Sequence, residues 1–277
     1  MGYPMAGHLA AAGHEVRVYN RTEAKAEAWA QEHSGTACPT PAQAATGADL
    51  VFICVGADDD VRSVVYGDEG CLGALADGAV VVDHTTASAT LARELAEACG
   101  QVGVGFVDAP ISGGQAGAEN GQLSVMCGGA EDAFAKALPV MDHYAKAVTL
   151  LGPAGAGQQT KMVNQILCAG AIHGAAEALA FGERAGLDMK LVLQAVTQGA
   201  AGSWYLSNRG ETMIADEFDF GFAVDWMAKD LGLVQAEAEA IGANTPLTEL
   251  TAGHLASSQD AGDNRMDATA IIRNYRD

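Results

Sequence analysis

An α/β first half and an all-helical second half, joined by one long helix, is the architecture that these 277 residues predict. Three observations carry it. Short apolar runs alternate with helix-like stretches over residues 1–150, whereas residues 152–277 hold no convincing strand. Between them, residues 158–185 read as helix without a break, and at ~1.5 Å per residue they span roughly 42 Å. A rod of that length outruns a small domain, so it is expected to serve two lobes, 1–152 and 153–277.

The strands are expected at 16–19, 50–55, 80–83, 105–109, 123–127 and 148–151. VFICV is purely apolar and AVVVD is apolar up to its last residue, as strands buried on both faces are, which implies βαβ units and a mostly parallel sheet. Helices are expected at 22–33, with Thr22 as N-cap, at 58–65 and at 88–99. In the second half, Gly, Pro and polar breaks separate helices at 188–198, 204–214, 222–241 and 248–258. The tail from 257 is polar up to Ile271, and is expected to close over a site or to stay mobile.

Composition narrows the function. A net charge of −20 and a pI near 4.5 argue against nucleic acid and anionic membrane surfaces as partners. An anionic small molecule would need a local positive cluster. The six cysteines show no CxxC pair and read as reduced core residues. Seven scattered histidines make no HExxH and no His/Cys cluster, so no metal is expected. No apolar run reaches about 18 residues and no signal-peptide pattern opens the chain, so a cytoplasmic protein is expected.

The opening MGYPMAGHLAAAGHEVRVYNRT reads as the helix and second strand of a nucleotide-binding βαβ unit whose first strand is absent. Of the fingerprint G-x-G-x-x-G only the last glycine, Gly2, is present. An in-frame upstream segment of roughly ten residues, with an apolar strand and two more glycines, is therefore expected; the alternative is an ordinary N-terminal helix. After the second strand comes Asn20-Arg21-Thr22, where NAD-binding folds carry an Asp or Glu for the ribose hydroxyls. Arg21 can neutralise a 2′-phosphate, and Asn20 and Thr22 can hydrogen-bond it, which favours NADP over NAD.

Two further stretches suggest chemistry. Ser112-Gly113-Gly114 follows a strand end at Asp108-Ala109-Pro110 and leaves backbone N–H groups accessible, a nest for a carboxylate; it reads equally as a tight turn needing φ > 0. Lys161 and Asn164 sit three apart on the long helix, on one face with almost no other charge.

Four segments, DAPISGGQAGAENGQLSVMCGG, GAGQQTKMVNQ, MAKDLGL and the opening MGYPMAGHLAAAGHEVRVYNRT, together resemble the β-hydroxyacid dehydrogenase family. That family includes 3-hydroxyisobutyrate dehydrogenase and tartronate semialdehyde reductase. The resemblance implies a Rossmann-type NAD(P)-binding domain, a helical domain for substrate and oligomerisation, and a homodimer or homotetramer. It implies that Lys161 is the general acid/base of carbonyl reduction, oriented with the substrate by Asn164, and that Ser112, Gly113 and Gly114 bind the substrate's carboxylate. Val55, Gly56 and Thr86 match cofactor contacts, and Lys229, held by Asp230, is placed near the nicotinamide. Phe222 is a further candidate for the substrate pocket. Gln165 stands where the family commonly has a second Asn, which bears only on an accessory role.

The expected reaction interconverts a small 3-hydroxy acid and its semialdehyde. An imine reductase of the same fold is the nearest rival, but those relatives usually replace the lysine that Lys161 retains. A 6-phosphogluconate dehydrogenase needs a larger helical domain. A non-catalytic dinucleotide-binding protein would have lost the lysine.

Overall fold

The computed structural model describes residues 1–276. By its internal contacts the chain divides into two compact units, Met1–Lys161 and a second that begins at Met162, a division that falls inside the long helix.

The first unit opens with α1 (Gly2–Ala11), β1 (Val16–Val18), α2 (Glu23–Glu32), β2 (Gly35–Ala37) and α3 (Pro41–Ala45). It continues through β3 (Leu50–Ile53), α4 (Asp58–Val65), β4 (Val80–Asp83), α5 (Ala89–Gln101) and β5 (Gly105–Asp108). It closes with β6 (Ile111–Ser112), α6 (Gly114–Glu119), β7 (Leu123–Gly129), α7 (Glu131–Met141) and β8 (Ala145–Leu150). β1 and β2 form a separate parallel pair, while β3, β4 and β5 are parallel neighbours in a six-stranded sheet. β7 runs antiparallel to β5 and β6 and parallel to β8.

Every residue of β4 is buried, and its side chains alternate between two cores. Val80 and Val82 join Val107, Leu123, Met141 and Tyr144 on one face. Val81 joins Ile53, Val61, Leu91 and Phe106 on the other. Burial on both faces is what makes such a strand a continuous apolar run. α5 starts where the Ser88 hydroxyl accepts the Leu91 N–H, an N-cap that ends the loop leaving β4. Thr22 flanks α2 as expected but makes no side-chain cap; its N–H instead donates to Asn20 Oδ1.

The long helix, α8, covers Ala156–Arg184, 29 residues or about 43 Å. The second unit continues with α9 (Met189–Val196), α10 (Trp204–Ala215), α11 (Val224–Ile241) and α12 (Pro246–Asp260). α11 stops at Gly242, whose φ of 71° a β-carbon would resist. Ile172, Leu179, Met213, Met227, Leu231 and Leu255 form its core.

Three expectations need correction. Residue 222 precedes its helix, which begins at Val224. The tail is packed rather than loose: Ala268–Tyr275 forms a 3₁₀ turn whose Ile271 and Ile272 are fully buried in the core of the second unit. Among the cysteines only Cys71, Cys99 and Cys127 are buried, while Cys38, Cys54 and Cys168 are half-buried. Burial pushes the thiol of Cys71 up to about 11 and those of Cys99 and Cys127 to about 12, so these three stay protonated.

Candidate functional site

The carboxyl ends of β3, β4 and β5 lie side by side, and the loops leaving them are bonded to one another. The Val55 N–H, just beyond β3, donates to Thr85 Oγ1 at 3.1 Å. Asp83, the last residue of β4, accepts the Thr85 N–H at 2.9 Å. Thr86 follows, half-buried, with Val55 exposed beside it and Gly56 half-buried next in the chain. Three of the expected cofactor positions thus meet at the edge where open α/β sheets take ligands.

Asp83 and Asp108 are partners in the β4–β5 register and both are buried. Burial pushes Asp83 up to about 7. It also pushes Asp108 up to about 6, although Asp108 Oδ1 accepts the Gly155 N–H and Oδ2 the Gln158 N–H, each at 2.8 Å, which favour the charged form. These two bonds cap the start of α8 from a strand about fifty residues earlier. The crowding is severe: a β-carbon at Gly157 would stand 2.4 Å from the Met126 oxygen and 2.8 Å from Asp108 Oδ2. His84, between Asp83 and Thr85, hydrogen-bonds the Ala109 oxygen through Nδ1 at 2.6 Å and Tyr144 Oη through Nε2 at 2.8 Å. Burial lowers it to about 4, so the ring is neutral, with Nδ1 donating to the carbonyl and Nε2 accepting from Tyr144.

Lys161, one turn into α8, is 8% exposed, and its Nζ donates to the Ile111 oxygen at 2.9 Å. Ile111 is the residue before Ser112, so the ammonium lies beside the Ser112-Gly113-Gly114 turn. Both glycines are exposed and have positive φ, 135° and 63°. A β-carbon at Gly114 would meet nothing within 4 Å, so glycine there serves conformation rather than space. The ammonium and the two positive-φ glycines are thus neighbours in this unit. Next to Lys161 in the chain, Met162 is buried and Val163 lies open.

Asn20, Arg21 and Thr22 follow β1 and are all exposed. Arg21 reaches Asp60 of α4, Nη1 to Oδ1 3.0 Å. Gly2 begins α1, and a β-carbon on it would stand 3.3 Å from Cys54 Cβ at the end of β3. The first turn of α1 thus comes close to this edge and contains no acidic residue. A helix start without negative charge, brought close by a glycine, fits a dinucleotide phosphate.

In the second unit Asn164, one turn after Lys161 on α8, donates through Nδ2 to Gln165 Oε1 at 2.7 Å. Gln165 is itself buried, and its Nε2 donates to Asp230 Oδ2, also at 2.7 Å. Asp230, buried, pairs with Lys229 at 3.0 Å, so the Lys229–Asp230 pair is no solvated surface contact. Gln165 therefore anchors that pair from α8, a link that no sequence spacing announces. Phe222 is half-buried against the helical core, and its N–H donates to Asp267 Oδ2 at 2.9 Å. Among the described residues no group of His, Cys, Asp and Glu could hold a metal ion, and no helix is long and apolar enough to cross a membrane.

Residues 1–152 match the model of the NAD-binding domain of 6-phosphogluconate dehydrogenase. Residues 155–275 match that of the NAD-binding domain of NADP-dependent 3-hydroxyisobutyrate dehydrogenase. The chain belongs to the β-hydroxyacid dehydrogenase family, and it is an NAD(P)-dependent oxidoreductase acting on CH–OH groups. An uncharacterised oxidoreductase of Shewanella frigidimarina is 49% identical over 98% of this chain and 94% of its own length. The 2-hydroxy-3-oxopropionate reductase of Escherichia coli is 34% identical over 99% of this chain and 93% of its own. The solved 3-hydroxyisobutyrate dehydrogenase of Salmonella typhimurium superposes with a TM-score of 0.88 at 30% identity, covering 99% of this chain and 95% of that one.

Proposed function

We propose that the protein reduces a small semialdehyde carrying a carboxylate to the corresponding 3-hydroxy acid, and runs the reverse oxidation, with Lys161 as general acid/base. The observation that carries this is a buried lysine whose Nζ is held 2.9 Å from the Ile111 oxygen, next to the Ser112-Gly113-Gly114 turn with its two exposed glycines. The relatives act on acids of this class by name, which supports the reading.

A bound nicotinamide cofactor supplies the hydride that the carbonyl carbon takes up. Gly2, Val55, Gly56, Thr86 and Lys229 are the residues proposed to hold that cofactor, with Asp230 fixing Lys229. Asn20, Arg21 and Thr22 would take a 2′-phosphate, so NADP is the preferred form. The nest binds the carboxylate and so orients the carbonyl. As negative charge grows on the carbonyl oxygen, the Lys161 ammonium stabilises it and gives up one proton: an N–H bond breaks as the O–H bond forms. In the oxidation the neutral amine takes that proton back. The Ile111 carbonyl fixes the direction of the lysine, and Asn164, on the same helical face, orients the substrate oxygen. Phe222 is proposed to line the pocket. Exposed Leu167, Phe181 and Leu250 support a homodimer or homotetramer, which light scattering would decide.

The test is a panel of succinic, methylmalonic and tartronic semialdehydes and glyoxylate with NADPH and NADH. Turnover of at least one acid aldehyde, lost on Lys161→Ala by about 10²- to 10⁴-fold with NADPH binding retained, is expected. Near-normal turnover in Lys161→Ala would remove the lysine from the mechanism.

A further inference from the structure

Gln158 is 1% exposed, on the first turn of α8 and three residues before Lys161. Its side-chain amide makes a two-point pairing with the loop after β4. Oε1 accepts the Ala87 N–H at 3.0 Å, and Nε2 donates to the Thr85 oxygen at 2.8 Å. Thr86 stands between these two backbone groups. The other groups of the loop are held as well: the Thr85 N–H by Asp83, Thr85 Oγ1 by the Val55 N–H, and the Ser88 N–H by Asp58 at 3.0 Å. On the far side, the Gln158 N–H is fixed by Asp108, and Lys161 by Ile111.

We infer that Gln158 is a positioning residue that couples the Thr86 loop to the start of the helix carrying Lys161. This rests on the reading of Thr86 as a nicotinamide contact and of Lys161 as the acid. A primary amide carries one donor and one acceptor side by side, which matches a backbone C=O and N–H two residues apart. No other uncharged side chain of similar length has both. A shift of the loop is thereby passed to α8, so the groups that face the carbonyl carbon and the carbonyl oxygen keep one spacing. Lys161 and Thr86 lie 75 residues apart in this unit's sequence, and the amide is a direct bond between their supports.

Two arms test it. The first is hydrogen exchange with and without NADP⁺. In the wild type, added NADP⁺ slows exchange in residues 85–88 and also in 158–161. In Gln158→Leu, which keeps the bulk and removes both bonds, the slowing at 158–161 is lost while that at 85–88 remains. Gln158→Glu, measured above the pH at which its carboxyl ionises, keeps the Ala87 bond, loses the one to Thr85 and falls between the two. The second arm is kinetic. Gln158→Leu lowers kcat by about tenfold to a hundredfold, with substrate KM and NADPH Kd within about threefold. Slowing confined to 85–88 in the wild type, or unchanged slowing at 158–161 in both variants, would overturn the coupling. So would a kcat loss that only matches a smaller folded fraction. If the wild type reduces no semialdehyde, the proposed reaction fails, and the exchange arm still decides on Gln158.

Discussion

At the scale of single residues, cofactor choice turns on a small electrostatic balance around Arg21. The guanidinium is largely exposed and leans on Asp60, whose carboxylate would oppose a 2′-phosphate bound by the same arginine. Arg21→Ala should therefore weaken NADPH far more than NADH, and equal losses would refute the assignment. Asp60→Asn keeps an acceptor for Arg21 and removes the opposing charge. It is expected to tighten NADPH by about two- to fivefold, a gain typical of one exposed charge, and to leave NADH unchanged in titrations of cofactor fluorescence. Gln165 carries a related lesson. By sequence it is a departure from a family pattern, whereas in the fold it is the anchor of Asp230 and, through it, of Lys229.

At the scale of elements, the join between β5, β7 and α8 has no room. Gly157→Ala would press a β-carbon against two backbone oxygens and the Asp108 carboxylate, none of which can swing away. A loss of about 1–3 kcal/mol is expected from such overpacking, read as a lower urea midpoint. The strand ends also set a pH dependence. Asp83 ionises at about 7 in the fold against a usual 3.8, so the unfolded chain loses this proton first. The stability linked to it is full below pH 4 and is lost as pH rises towards 7. His84 works the other way: held neutral at about 4 against 6.5, it costs stability as pH falls from 6.5 to 4. The two slopes oppose each other in the wild type, so a difference curve is needed. Asp83→Asn keeps the acceptor for the Thr85 N–H, and should raise Tm at pH 8 clearly more than at pH 5. An equal rise at both would mean that the charge is not the cause.

At the scale of the whole molecule, net charge acts against the proposed substrate. A chain at −20 repels an approaching carboxylate, and the positive groups near the nest act only at short range. Salt shortens the reach of that repulsion from about 30 Å at 0.01 M to about 10 Å at 0.1 M. Substrate on-rates, measured by stopped flow, are therefore expected to rise by about two- to fivefold over this range. A fall would mean that the local positive field dominates the encounter.

Much of this molecule was legible without coordinates, and the physical reason is locality. A strand packed inside a sheet reads as a run of apolar residues, so VFICV and the AVVV of AVVVD declared β3 and β4. A long run of good helix formers between two Gly-containing turns declared α8. The motif at 108–114 and Lys161 carried the family. β2, Gly-Thr-Ala at Gly35–Ala37, and β6, only Ile111–Ser112, escaped because neither holds an apolar β-branched run, whereas the equally short β1 is Val-Arg-Val. α7 escaped partly because Pro139 lies inside it. What only the tertiary structure decided are the links between residues far apart in sequence. Asp108 caps a helix that begins 48 residues later, and Gln158 clasps a loop 71 residues earlier. Ile271 and Ile272, in a tail that reads as polar, fill a helical core. A side chain's periodicity records its own element, while its hydrogen-bond partner is set by how strands and helices are brought together. Composition and pattern announced most of the elements and the family they spell; packing chose which buried amide and carboxylate hold the start of α8.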